Sequence, residues 1–255
     1  MTENRVTRTT SAADTTEAAT RVRLAVLDMA GTTVADGGLV ERAFGAAAER
    51  LGVEPGSAEH AAQLDYVRAT MGESKISVFR CLFGDEERAR RANAAFEQAY
   101  HDLVDDGHCA PLPGAAEAIG TLRESGIRVA LTTGFSRATQ HRILEALGWH
   151  DVADLTLCPA DAGRGRPYPD MVLTALLRTA TDDVRQVAVC GDTSYDMLTG
   201  RRAGASVVAG VLTGAHTREQ LAGAGATHVL GSVAELPAVV GAVPAAGTGT
   251  GGGVR

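Results

Sequence analysis

The chain has 255 residues, a formal net charge of −7, 45% hydrophobic residues and only 4% aromatics. That length is enough for one large or two small domains with a real core, and an Ala/Val/Leu-rich composition favours an α/β interior over an aromatic-rich β-sandwich. The acidic balance disfavours a nucleic-acid partner, no uninterrupted apolar run would span a membrane, and four cysteines without CxxC spacing fit reduced thiols in the cytoplasm.

In chain order, residues 1–20 are Thr/Ala/Glu-rich without apolar periodicity and read as a disordered leader. Val22 to Leu27 reads as a buried strand ending in Asp28, within the stretch LAVLDMAGTTV (Leu24 to Val34). A carboxylate at the carboxyl end of a strand lies where open α/β sheets build their sites. Gly31 allows close backbone approach, and Thr32 and Thr33 offer hydroxyls and N–H groups suited to a phosphoryl group. Asp28 is then either an aspartyl-phosphate nucleophile or an ordinary strand-end acid, and the stretch alone leaves both open.

Helical patterns follow. Leu39, Ala43 and Leu51 share a face with Gly52 as the stop, and Ala61–Met71, Lys75–Leu82 and Glu86–Leu103 continue without a convincing strand. Residues 37–112 therefore read as an all-helical cap domain inserted after the first strand. The PLPG turn at Pro111–Gly114 marks the return to the core. Strands are expected at Arg128–Thr132, Asp154–Cys158, Val187–Cys190, Ser206–Val211 and His228–Leu230. Helices are expected around Ala115–Glu124, Ser136–Leu147, Pro169–Thr179, Ser194–Ala203 and Arg218–Ala222. Alternation of this kind predicts a doubly wound parallel sheet, an α/β core of residues 21–36 and 113–241. A Gly/Ala/Thr-rich flexible tail, 242–255, completes the chain.

Each early strand ends in a polar group: Asp28, then Thr133 and the Gly134 backbone, then Asp192 with Asp196 one helical turn on. Arg166, in GRGRPYP, stands just before a helix start. In a parallel sheet all these ends share one edge. Asp28 and Asp192 would make a hard, oxygen-rich Mg²⁺ site, with Arg166, Thr133 and loop amides around a phosphoryl group. The seven histidines show no metal spacing, and Tyr168, Tyr195 and the charge run Asp85–Arg91 read as packing or solvated surface.

The order DxxGTT, TTG, RPYP, GDTxxD resembles the haloacid dehalogenase superfamily with a type 1 helical cap, over roughly residues 22–240. The resemblance implies Asp28 as nucleophile, Thr32, Thr133, Gly134 and Arg166 as phosphate ligands, Asp28, Asp192 and the Ala30 carbonyl as Mg²⁺ ligands, and Asp196 in support. Phosphatases of the superfamily carry a general-acid Asp two residues after the nucleophile. Here that position is Ala30. Of 24 basic residues Lys75 is the single lysine, within MGESK, Met71 to Lys75. DxAGTT together with MGxxK resembles the phosphonatase (phosphonoacetaldehyde hydrolase) branch, whose cap lysine forms a Schiff base with its aldehyde substrate. An iminium is the electron sink that C–P cleavage needs, and arginine cannot supply it.

The resemblance is incomplete: Val78, Phe135 and Gly38 stand where that branch has His, Tyr and Cys. The expectation is thus a Mg²⁺-dependent phosphonatase-like hydrolase of a small phosphonate. A phosphoglycolate-type phosphomonoesterase and a non-catalytic phosphometabolite-binding protein are the alternatives, and a homodimer through cap helices is implied by the resemblance.

Overall fold

The computed structural model describes residues 21–242; the expected leader and nearly all of the expected tail lie outside the described residues. Six strands form one parallel sheet: β1 (Leu24–Asp28), β2 (Arg128–Thr132), β3 (Leu155–Leu157), β4 (Val187–Gly191), β5 (Val207–Val211) and β6 (His228–Leu230). Their order is β3-β2-β1-β4-β5-β6, with Leu24 opposite both Arg128 and Val187. The chain winds outward one way from β1 and then the other way from β4. The β1/β4 junction is therefore the topological switch, the usual place for a site in such a sheet.

Four helices form an insert that follows β1: α1 (Leu39–Arg50), α2 (Ala58–Ala69), α3 (Lys75–Phe83) and α4 (Glu86–Asp105). In the rest of the chain, α5 (Ala115–Glu124), α6 (Arg137–Ala146), α7 (Pro159–Ala162), α8 (Asp170–Arg178), α9 (Ser194–Ala203), α10 (Arg218–Gly223) and α11 (Leu236–Val239) alternate with or follow the strands. The short α7 and α11 have no counterpart in the sequence reading, since four residues cannot display a helical period. Helix α2 begins three residues earlier than its apolar pattern indicates. Ser57 caps it, accepting the His60 N–H at 3.1 Å, while only Val67 of the helix is buried.

The strands read as continuous apolar runs because both faces are covered. Leu24, Val26, Val187 and Val189 pack beneath Val172 and Ala175 of α8 and Ala203 of α9. Ala25, Leu27, Val129 and Leu131 join a larger cluster on the opposite face, and that cluster runs without a break into the helical insert through Phe96, Phe79 and Phe44. The aromatic rings concentrate there: Phe96 lies 4.7 Å from Phe44, centroid to centroid, and Tyr100 lies 4.6 Å from Phe135. Helix α4 packs on α6, where His101 Nε2 meets Thr139 Oγ1 at 3.0 Å and Arg142 pairs with Asp105. Among the described residues no helix is long and apolar enough to cross a membrane.

Phe96 is fully buried at the centre of this aromatic cluster. Phe96→Ala is expected to cost about 3–5 kcal/mol. Because the cluster is continuous, the loss should appear as a lower urea midpoint followed by fluorescence of Trp149, the single tryptophan, which is buried on the sheet side.

Candidate active site

At the end of β1 the backbone folds sharply back on itself: Thr33 and Val34 donate their N–H groups to the Met29 carbonyl at 2.9 and 2.8 Å. Gly31 makes the turn possible with φ of 85°, and a Cβ there would sit 2.5 Å from Asp192 Oδ2. From the other side a Cβ on Gly214 would lie 1.9 Å from the same oxygen. The Asp192 carboxylate is thus held in a cradle of bare backbone. Thr32 Oγ1 lies 3.2 Å from its Oδ1, and the Ala215 N–H donates to Oδ2 at 2.8 Å.

Arg166 reaches into this cluster between two acids. Its Nη2 donates to Asp28 Oδ1 at 2.5 Å and its Nη1 to Asp196 Oδ1 at 2.8 Å, and all three side chains are buried. Asp196 is otherwise committed: its Oδ2 accepts the Thr193 N–H and hydroxyl, closing a capping box on α9. The Arg166 Nε is buried without a hydrogen-bond partner among the described residues. Carboxylate oxygens of Asp28, Asp192 and Asp196 lie within 4.8 Å of one another.

The insert closes over this edge. A Cβ on Gly134 would meet the Glu73 carbonyl at 2.7 Å, and one on Gly72 the Thr193 hydroxyl at 2.6 Å. The Lys75 N–H lies 3.4 Å from the Gly134 carbonyl. Lys75, at the first turn of α3, turns its amine inward, with Nζ 5.3 Å from the centroid of the Phe135 ring. The cavity under the insert measures about 330 Å³, and Lys75 shares its lining with Asp28, Ala30, Thr133, Gly134, Arg166 and Asp192.

Of the residues singled out from sequence for direct roles, Thr32 is the one displaced. It is fully buried, its hydroxyl turned toward Asp192, and it does not line the cavity, because the Gly31 turn rotates it into the core. Asp196 also stands behind the lining. Gly38 and Phe135 line the cavity, whereas Val78 is buried in the apolar cluster of the insert. The sequence reading missed Asp36, Glu41 and Met71, which also line it. Asp36 carried a signal, since it lies eight residues after Asp28 in the same loop, but no motif marks it.

The electrostatics follow from burying three acids against one guanidinium. Burial pushes the Asp28 carboxyl up to about 6, against the pull of Arg166. Asp192 is pushed well above the carboxylate range by burial and by the neighbouring Asp28 and Asp196. The Arg166 guanidinium is held above its ordinary value: burial acts to lower it, and Asp196 and Asp28 more than compensate. The Lys75 amine falls to about 8, chiefly through burial, with Asp36 opposing and Arg166 adding to the fall.

The site thus gathers buried carboxylates, a guanidinium and an amine of lowered basicity around one cavity. Residues 22–204 match the family model described as haloacid dehalogenase-like hydrolase, and the chain belongs to that family. A phosphonoacetaldehyde hydrolase of Parabacteroides distasonis is 27% identical over 208 residues, covering 70% of this chain and 77% of that protein. A protein described as probable phosphatase IndB of Dickeya dadantii is 29% identical over 174 residues, covering 67% and 75%. Among solved structures, a phosphonoacetaldehyde hydrolase-like protein from Oleispira antarctica superposes with a TM-score of 0.75 at 25% identity, covering 88% of this chain and 92% of its own.

The lowered amine value has a consequence for stability. At pH 7 Lys75 is charged both folded and unfolded, so the folded state bears the full cost of burying an ammonium. That cost is relieved as pH rises from about 8 toward the ordinary lysine value of 10.5. Lys75→Met is expected to raise the melting temperature at pH 7 by several degrees, on the order of 1–3 kcal/mol. The gain should shrink between pH 8 and 10.5, which calorimetry at a series of pH values would reveal.

Proposed function

We propose that this protein is a Mg²⁺-dependent hydrolase that cleaves the C–P bond of a phosphonoacetaldehyde-type substrate. The observation that carries the reading is the single lysine of the chain, buried in the same cavity as Asp28 with its amine lowered to about 8. A nucleophilic amine must be partly deprotonated near neutral pH, and burial moves this one toward that condition, leaving a minor neutral fraction beside the charged majority at pH 7. Relatives named phosphonoacetaldehyde hydrolase support the same reading.

The acidic cluster fits a hard divalent cation. Its excess of carboxylates over cations and the cradle around Asp192 call for positive charge, and Asp196 is already engaged by Arg166 and Thr193. Asp28, Asp192 and the Ala30 carbonyl would hold the ion, which when bound neutralises charge on the phosphoryl oxygens.

The chain's own groups supply the steps. Lys75 condenses with the aldehyde, losing water, to give an iminium. Thr133, the Gly134 N–H and Arg166 hold the phosphonate oxygens while an Asp28 oxygen attacks phosphorus. The C–P electron pair moves into the iminium and leaves as an enamine. Protonation of the enamine carbon and hydrolysis release acetaldehyde and free Lys75, and water releases phosphate from Asp28. This leaving group needs no proton at departure, so Ala30 in place of an acid is no handicap. We take the reaction to occur in the cytoplasm, where the four free thiols stay reduced, and a homodimer through the insert helices is testable by light scattering.

A second reading, phosphomonoester hydrolysis, draws on the relative named a phosphatase and on a phosphate site that does not itself require Lys75. The two readings part on two variants. Under C–P cleavage, Lys75→Arg abolishes phosphate release from phosphonoacetaldehyde (at least ~10³-fold) and Ala30→Asp brings no gain. Under the phosphatase reading, Ala30→Asp raises turnover of phosphate esters and Lys75→Arg does little. Borohydride reduction in the presence of phosphonoacetaldehyde should add mass to the Lys75 peptide. Phosphate release of any kind would dispose of a purely binding role.

A further inference from the structure

Four carboxylates line the cavity, and three have evident commitments. Asp28 is paired with Arg166, Asp192 is cradled in the acidic cluster, and Glu41 is held by Arg68 at 2.7 Å. The fourth, Asp36, is half-buried in the loop between β1 and α1, and makes no ion pair among the described residues. Its oxygens accept only backbone N–H groups, from Gly38 at 3.1 Å and Val40 at 3.3 Å. Lys75 has no ion-pair partner either; its amine faces the Phe135 ring and the open cavity. An unpaired amine and an unpaired carboxylate thus line one cavity.

We propose that Asp36 is the proton-transfer partner of Lys75, accepting the proton that frees the amine and returning it to the carbinolamine oxygen so that water departs. The proposal rests on the Schiff-base reading above. The step balances: Lys75 ammonium passes a proton to the Asp36 carboxylate, and the neutral amine attacks the aldehyde carbon. A proton moves from nitrogen to the alkoxide. Protonated Asp36 then delivers its proton to the hydroxyl, water leaves, and the iminium remains with Asp36 ionised beside it. Ammonium and aldehyde have become iminium and water, with charge unchanged.

The other groups around Lys75 are poorly suited to this task. Asp28 and Asp192 belong to the acidic cluster, Arg166 is cationic throughout, and Phe135 carries no transferable proton. Behind Phe135 the Tyr100 hydroxyl is fully buried without a partner, and burial keeps it protonated. Burial raises Asp36 while it lowers Lys75, which narrows the gap a proton must cross. The two backbone donors fix the carboxylate in place, so its charge is available without reorganisation.

The bland alternative is that Asp36 merely caps the start of α1, and the test separates the two. Full-length wild type, Asp36→Asn, Asp36→Ser and Asp36→Ala would be mixed with Mg²⁺ and phosphonoacetaldehyde, and the rate of borohydride-trapped adduct on Lys75 followed by mass, with melting curves as the fold control. Asn and Ser keep an acceptor for the capping N–H groups but cannot exchange the proton. The expected result is a fall of about 10²-fold or more in trapping for all three variants, with partial recovery of Asp36→Ala by added formate. Asn or Ser variants that trap at the wild-type rate, or an Asp36→Ala loss that formate leaves untouched, would overturn the proposal and leave the Schiff-base reading standing. A wild type that forms no adduct would overturn that reading itself, and the role of Asp36 with it.

Discussion

The Arg166 guanidinium, clamped between Asp28 and Asp196, is the interaction on which the rest of the site depends. It ties the end of β1, the start of α9 and the loop before α8 to a single buried point. Removing any one member would leave buried charge unpaired, which costs far more than an intact pair contributes. One guanidinium does not balance three acids, and burial, with the neighbouring acids adding to it, raises the carboxyl values of Asp28 and Asp192. A bound divalent cation would relieve that excess, so the cluster's electrostatic strain and its proposed chemistry have the same origin.

The second constraint is steric. The insert comes down on the sheet edge at Gly72 and Gly134, where even a methyl group would collide with Thr193 or the Glu73 carbonyl. This close approach brings the first turn of α3 to the cavity, and with it Lys75. The lysine's lowered value is a property of the closed arrangement, because the largest cause is burial. The same approach of the insert therefore buries the amine and roofs the cavity.

One side of the Lys75 amine is apolar. Phe135 lies beneath the amine, and Phe96 and Tyr100 pack behind it; Val78, one turn along α3, is buried in the same cluster. An apolar wall strengthens every charge that remains in the cavity. It also concentrates proton-handling on the loop after β1, where Asp36 stands beside two glycines with open space at their Cβ positions.

The sequence by itself determined the sheet and most of the helices, because strands buried on both faces must read as continuous apolar runs and amphipathic helices must show their period. It also determined which polar residues end the strands, and a parallel sheet sends all of those ends to one edge. Lys75 was legible as the lone lysine in a chain that otherwise uses arginine. What the tertiary structure decided was direction and distance. The turn at Gly31 sends Thr32 into the core and away from the cavity, which spacing alone does not reveal. Asp36 has no motif, and only the descent of the insert onto the sheet edge brings its carboxylate and the Lys75 amine into one space. Contacts between residues far apart in sequence are set by how bare backbone and small side chains allow surfaces to approach, and no local pattern encodes that.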